Sequence, residues 1–84
     1  MTVAEIITMR IRALCKERRI NLNQLAVMSD VSHSSLDNIV NGRSSNPTVL
    51  TLMKIANTLN MTVSEFLDIP ELNNYYKDDI PGED

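Results

Sequence analysis

A chain of 84 residues has room for one small domain with a single modest core. Aromatics make up only 4% of it, so that core has to be built from Leu, Ile, Val, Met and Ala, and the scarcity of glycine and proline suits an all-helical protein. The net charge of −3 excludes a uniformly basic chain.

The first helix is expected from about Val3 to Arg19. Thr2 with Glu5 three residues later forms a capping-box pattern. Ile7, Ile11 and Leu14 fall on one stripe bordered by Ile6, Met9 and Cys15, while Arg10, Arg12, Lys16, Arg18 and Arg19 occupy the remainder and read as a solvated face. Ile20 anchors the link into the core. The second helix starts at Asn21, again with a capping-box partner at Gln24, and ends near Met28. Ser29-Asp30-Val31 forms the turn, with Asp30 in the left-handed position where glycine is usual. The third helix is capped by Ser32 and stops at Asn41-Gly42. A polar loop follows, Arg43-Ser44-Ser45-Asn46-Pro47. The fourth helix, capped by Thr48, runs to about Leu59 with Leu52, Ile55, Ala56 and Leu59 buried, and Asn60 suits a left-handed closure. Thr62 and Glu65 open a short fifth helix that Pro70 should end, with Met61, Val63, Phe66 and Leu67 closing the core. The five methionines read most simply as core filler. The division is thus a domain over residues 1–68 and an acidic tail over 69–84 that is either disordered or ordered on a partner or a second copy.

The stretch from Asn21 to Gly42 carries most of the functional information. Leu25, Ala26, Ser29, Val31, Leu36 and Ile39 sit where two helices joined by a tight turn would face each other or the core, with small Ala26 at the closest crossing. His33, Ser34, Ser35, Asp37 and Asn38 are left facing outward. All are short polar side chains able to donate or accept hydrogen bonds, which is the chemistry that base edges in a DNA major groove require. The charge distribution fits. Residues 1–66 carry seven Lys/Arg against five Asp/Glu, and residues 67–84 carry one Lys against six Asp/Glu. The globular part is therefore mildly basic and the tail acidic, which implies modest, strongly salt-sensitive, dimer-dependent affinity for DNA.

Other chemistries find little support. His33 has no second ligand at metal-binding spacing. Cys15 reads as a buried small hydrophobe rather than a redox sensor, and a single cysteine makes no intrachain disulfide, with a cytoplasmic location as the default. His33, Ser34 and Asp37 share one helix and lack a buried, oriented base, so no triad is built. No cofactor is called for. The opening residues carry no charged segment followed by an apolar run, so no signal peptide is expected, and no apolar run approaches membrane-spanning length.

The ordered set RIRALCKERRINLNQLA (Arg10–Ala26), VSHSSLDNIVNGR (Val31–Arg43) and NPTVLTLMKIANTLNMTVSEFL (Asn46–Leu67) resembles the Cro/repressor-type (Xre-like) helix-turn-helix family. The resemblance implies a compact, five-helix, lambda-repressor-like domain that sets its third helix in the major groove of double-stranded DNA, usually as a dimer on a two-fold operator. Carried over by position, His33, Ser34 and Asn38 read base edges, with Asp37 beside them accepting from a cytosine or rejecting wrong sites. Asn21, Asn23, Ser32, Ser35, Arg43, Ser44, Ser45 and Asn46 are the backbone-contacting set, with Arg43 the foremost phosphate contact. Leu22 stands where the family most often has a phosphate-gripping glutamine. Relatives pair an arginine on the first helix with a glutamate near the end of the third. Those positions are Cys15 and Val40 here, so an apolar contact is expected instead. The function implied is a sequence-specific transcriptional regulator, a repressor of a bacterium, phage or mobile element. The alternative is an antitoxin or adaptor that uses the same fold to hold a protein partner. A homodimer would pair through the C-terminal side, using the fifth helix and the segment through Ile69, Leu72, Tyr75 and Tyr76.

Overall fold

The computed structural model describes residues 2–41 and 47–75. Six helices follow in chain order: α1 (Val3–Arg18), α2 (Leu22–Ser29), α3 (His33–Val40), α4 (Val49–Thr58), α5 (Val63–Phe66) and α6 (Pro70–Asn73). No strand occurs among the described residues.

The helix starts follow from local sequence. Each helix leaves its first N–H groups without an intrahelical partner, and the residue before each of the first five supplies a side-chain acceptor. Thr2 and Glu5 exchange bonds of 3.2 and 3.1 Å. Asn21 and Gln24 exchange bonds of 2.8 and 2.7 Å. Thr62 and Glu65 exchange bonds of 2.9 and 3.1 Å. All three expected capping boxes are formed. Ser32 and Thr48 accept from the N–H groups of Ser35 and Thr51, both at 3.1 Å.

Two of these caps are charged, which gives stability a pH dependence. Hydrogen bonds from the backbone and side chain of Thr2 hold the Glu5 carboxyl below its ordinary value of 4.5. Thr62 does the same to Glu65. A group whose folded value is depressed contributes stability fully above its unfolded value and loses it as pH falls through the folded value. Between pH 6 and pH 3 the urea midpoint of the native chain should therefore fall further than that of Glu65→Gln. The amide keeps the capping geometry without a titrating proton. Equal falls would contradict the assignment.

The helix ends use one device three times. Arg19, Asp30 and Asn60 are left-handed, with φ of 57°, 56° and 61°. Each reversal aims the next N–H back at a carbonyl five residues earlier: Ile20 to Cys15 at 3.0 Å, Val31 to Ala26 at 3.1 Å and Met61 to Ala56 at 2.9 Å. Each of those three residues is apolar and turns into the core or against it, which is the hydrophobic contact that accompanies this kind of closure. Asp30 and Asn60 were expected in this role. Arg19 takes it as well, where an arginine gains nothing from the left-handed region.

The core runs through all of the first five helices. Ile7, Ile11, Leu14 and Cys15 of α1 join Leu25 and Ala26 of α2, Leu36, Ile39 and Val40 of α3, Leu52, Ile55 and Ala56 of α4, and Phe66 of α5 in one cluster. Val31 and Leu59 at the helix ends belong to it too. Buried Ser29 turns its hydroxyl back to the Leu25 carbonyl at 2.6 Å, so no polar group is stranded at the α2–α3 turn.

Four expectations change. First, Pro70 opens a helix rather than only ending one. It occupies the first turn of α6, where its missing N–H costs nothing. Second, Ile69 is buried and Leu72 packs, partly buried, against the core, so packed helical structure continues past residue 68 and Ile69 is not available as a dimer surface. Third, the four methionines among the described residues are not core filler. Met9, Met28 and Met53 are exposed, and Met61 is only partly buried. Fourth, Arg10 and Arg18 are not part of a merely solvated face. Arg10 donates through Nε to the Phe66 carbonyl and through its terminal guanidinium nitrogen to the Glu65 carbonyl, both at 3.0 Å. Arg18 Nε reaches the Leu59 carbonyl at 3.1 Å. The ends of α5 and α4 thus receive from α1 the partners that a helix C-terminus lacks.

Arg10 holds α5 through two charge-assisted bonds, each kind being among the stronger hydrogen bonds in proteins. Arg10→Met keeps the aliphatic stem and removes the fork. It should lower stability by about 1.5–3 kcal/mol, read as a shift in the urea midpoint with an unchanged slope.

Candidate nucleic-acid interface

α3 is positioned by its apolar side. Leu36, Ile39 and Val40 are buried and fix the rotation of the helix, so the residues between them point away from the core. His33, Ser34 and Asp37 are exposed and Asn38 is half-buried. Among the described residues none of these four side chains holds a side-chain hydrogen bond or ion pair. The α3 face is therefore a row of donors and acceptors without partners among the described residues, in contrast to buried side-chain N and O atoms, none of which lacks a partner there.

Ser32 and Ser35 have a different standing. The Ser32 hydroxyl donates to Ser35 Oγ at 2.9 Å while accepting from the Ser35 N–H. Ser32 is thus committed to capping α3. Ser35 receives that bond and keeps its own proton to donate outward.

α2 brings a second polar group to the same place. Leu22 and Asn23 line one side of a cleft whose other side is His33, Ser34 and Asp37. Asn23 of the expected backbone-contacting set thus meets His33, Ser34 and Asp37 of the expected base-reading set across a single groove, while Asn38, Asn21, Ser32 and Ser35 do not line it. Asn21 uses Oδ1 for the cap at 2.7 Å, which leaves its side-chain Nδ2 group as the donor. Leu22, standing in place of the expected glutamine, is half-buried against the core.

A neighbouring groove shows what the sequence reading missed. Arg12 and Lys16 line it together with Asn21, Leu22 and Asn23. Both basic side chains are exposed and form no salt bridge or side-chain hydrogen bond among the described residues. Their spacing of four on α1 was visible in the sequence. Their adjacency to the start of α2 depends on how α1 and α2 pack. Arg43, Ser44, Ser45 and Asn46 lie outside the described residues, as does the chain beyond Tyr75.

Cys15 and Val40 are each 5% exposed and share the core cluster, in keeping with the apolar junction expected at these positions. Burial pushes the Cys15 thiol up, against the opposing pull of Arg12 and Arg18, which disfavours the reactive thiolate. Among the described residues no cluster of His, Cys, Asp or Glu could hold a metal ion, and no helix is long and apolar enough to cross a membrane.

Comparison with known proteins agrees with this geometry. The family model of the Cro/C1-type HTH DNA-binding domain matches residues 10–71. The chain is similar to the crystal structure of the prophage Lp1 protein 11, with a TM-score of 0.79 and 26% identity over 89% of this chain and 100% of that one. It is also similar to the N-terminal DNA-binding domain of SinR from Bacillus subtilis, with a TM-score of 0.72 and 30% identity over 79% of this chain and 96% of that one. No curated protein sequence matches the chain.

Proposed function

The chain belongs to the family of Cro/C1-type HTH DNA-binding domains, a family of DNA-binding regulators rather than enzymes, and from that premise we propose that it is a sequence-specific transcriptional repressor that reads the major groove with α3. The observation that carries the reading is the cleft between the start of α2 and the polar, exposed face of α3. Asn38 is the foremost base reader, because a carboxamide can donate to and accept from an adenine edge at once. His33, Ser34 and Asp37 flank it. Asn21, Asn23, Ser35 and the N–H groups at the start of α2 hold phosphates and set the register. Arg43, Ser44, Ser45 and Asn46, which follow α3 in the chain, extend this set.

Two copies acting together are part of the proposal, since an eight-residue helix reads few base pairs by itself. With Ile69 buried and Leu72 partly buried against the chain's own core, the exposed Val49, Leu50 and Met53 on the outer side of α4 are the better-supported pairing surface. The same exposed apolar side chains are the observation that favours the second reading, a domain that holds a different protein.

Selection of bound duplexes from a random DNA pool, followed by titration across salt concentrations, tests the proposal. The expected result is a preferred sequence whose log affinity falls linearly with log salt. Arg43→Ala should weaken binding to all sequences alike and reduce that slope by about one unit. Affinity that stays weak at low salt, with no sequence enriched, would contradict the reading.

A further inference from the structure

Thr8 lies in the middle of α1, half-buried. Its Oγ1 donates to the Ile39 carbonyl in the last turn of α3 at 2.9 Å. Among the described residues this is the one hydrogen bond that joins α1 to α3. We infer that Thr8 is a positioning residue for DNA reading: its bond to Ile39 sets where the α3 face stands relative to the rest of the domain. The inference rests on the reading of α3 as the base-contacting helix.

Three observations carry it. The remaining junction between α1 and α3 is apolar, made by Ile7, Ile11, Leu14 and Cys15 against Leu36, Ile39 and Val40. Burial of that kind is non-directional and fixes depth better than it fixes position along the helix axis. A hydrogen bond, by contrast, weakens steeply with length and angle, so it selects one register among several packings of similar area. Next, Ile39 is the neighbour of Asn38 in the same helical turn, and a helix moves as a rigid unit over so short a distance. Holding the Ile39 carbonyl holds the Asn38 amide. Finally, a threonine on a helix has its own alternative, a bond to the carbonyl four residues earlier. Thr58 does this with Lys54 at 2.9 Å, whereas Thr8 spans 31 residues of sequence to reach the other helix.

Ile39 belongs to the last turn of α3, where carbonyls run out of intrahelical donors. Asn41 N–H closes on Asp37 at 3.0 Å and also reaches the Ile39 carbonyl, which the Thr8 hydroxyl bonds from α1 at 2.9 Å.

The test uses the full chain with Thr8→Val, which has nearly the same shape and lacks the hydroxyl, and Thr8→Ser, which restores it. For each protein the ratio of affinity for a duplex selected by the native chain to affinity for a scrambled duplex is measured. The temperature is one at which circular dichroism shows all three fully folded. Amide shifts of His33 to Asn41 are recorded without DNA. In Thr8→Val the ratio should fall about three- to tenfold, affinity for the scrambled duplex should change less than about twofold, and the shifts from Asn38 to Asn41 should move. Thr8→Ser should return the ratio to within about twofold of native. A folded Thr8→Val with the native ratio overturns the inference, as does an equal loss on both duplexes or a Thr8→Ser that behaves like valine. A native chain that prefers no sequence overturns the underlying reading as well, and that outcome is seen before either variant is made.

Discussion

Phe66→Ala should leave the domain largely unfolded at 37 °C. The ring is fully buried and is the largest side chain so placed. It sits on a four-residue helix that has no stability of its own at that length. Removing such a side chain costs about 3–5 kcal/mol, from lost burial and from the cavity left behind. A domain of this size has little more than that in total. The Arg10 bonds to the carbonyls of Glu65 and Phe66 survive the substitution, because they use the backbone, but they then tether a helix that no longer fills the core. The thermal midpoint should drop by about 12 °C or more. A drop below about 5 °C would mean that the core closes without α5.

Asn38→Ala should change which sequences are bound more than how tightly DNA is held in general. Each lost bidentate contact is worth about 1–3 kcal/mol of discrimination at one base pair. Phosphate contacts from Asn21, Asn23, Arg43 and the start of α2 would remain, so affinity for unrelated duplexes should change little. Selection with the variant should flatten the preference at particular positions and leave the others intact. Because Asn38 is half-buried and has no hydrogen-bonded partner among the described residues, the substitution should not unfold α3. An unchanged preference would remove α3 from the role of reader.

The parts of this fold that the sequence displays are those decided within a few residues. Thr2, Asn21, Ser32, Thr48 and Thr62 cap helices because a short side-chain acceptor ahead of an apolar period does so in almost any context. Asp30 and Asn60 close helices for similarly local reasons. The misread parts depend on the remainder of the chain. Pro70 carries two meanings, a stop for one helix and a first-turn residue for the next. The choice between them is made by Ile69 and Leu72 finding room beside the core, with α6 against α1. Arg10 and Arg18 look like any charged helix face until α4 and α5 end within their reach. Met9, Met28 and Met53 are apolar by type yet stay exposed, since the stripes of Ile and Leu on the same helices already fill the interior.

The interface divides in the same way. His33, Ser34, Asp37 and Asn38 are legible as a polar face because Leu36, Ile39 and Val40 fix its opposite. The approach of Asn23 to His33 and Asp37 across one cleft, and of Arg12 and Lys16 to the start of α2, belongs to the packing of α1, α2 and α3 together. It could not be read from any one of them.

The most direct test of α3 as the DNA-reading element is a titration of the isotope-labelled chain with a selected duplex at low salt, followed by amide and side-chain NMR shifts. The largest changes should fall on Asn21 to Asn23 and on His33 to Asn38, with the Asn38 side-chain amide among the most strongly moved and the exposed side of α4 affected only where two copies meet. Changes confined to α4, α5 and α6, with α3 unmoved while DNA is bound, would contradict the account.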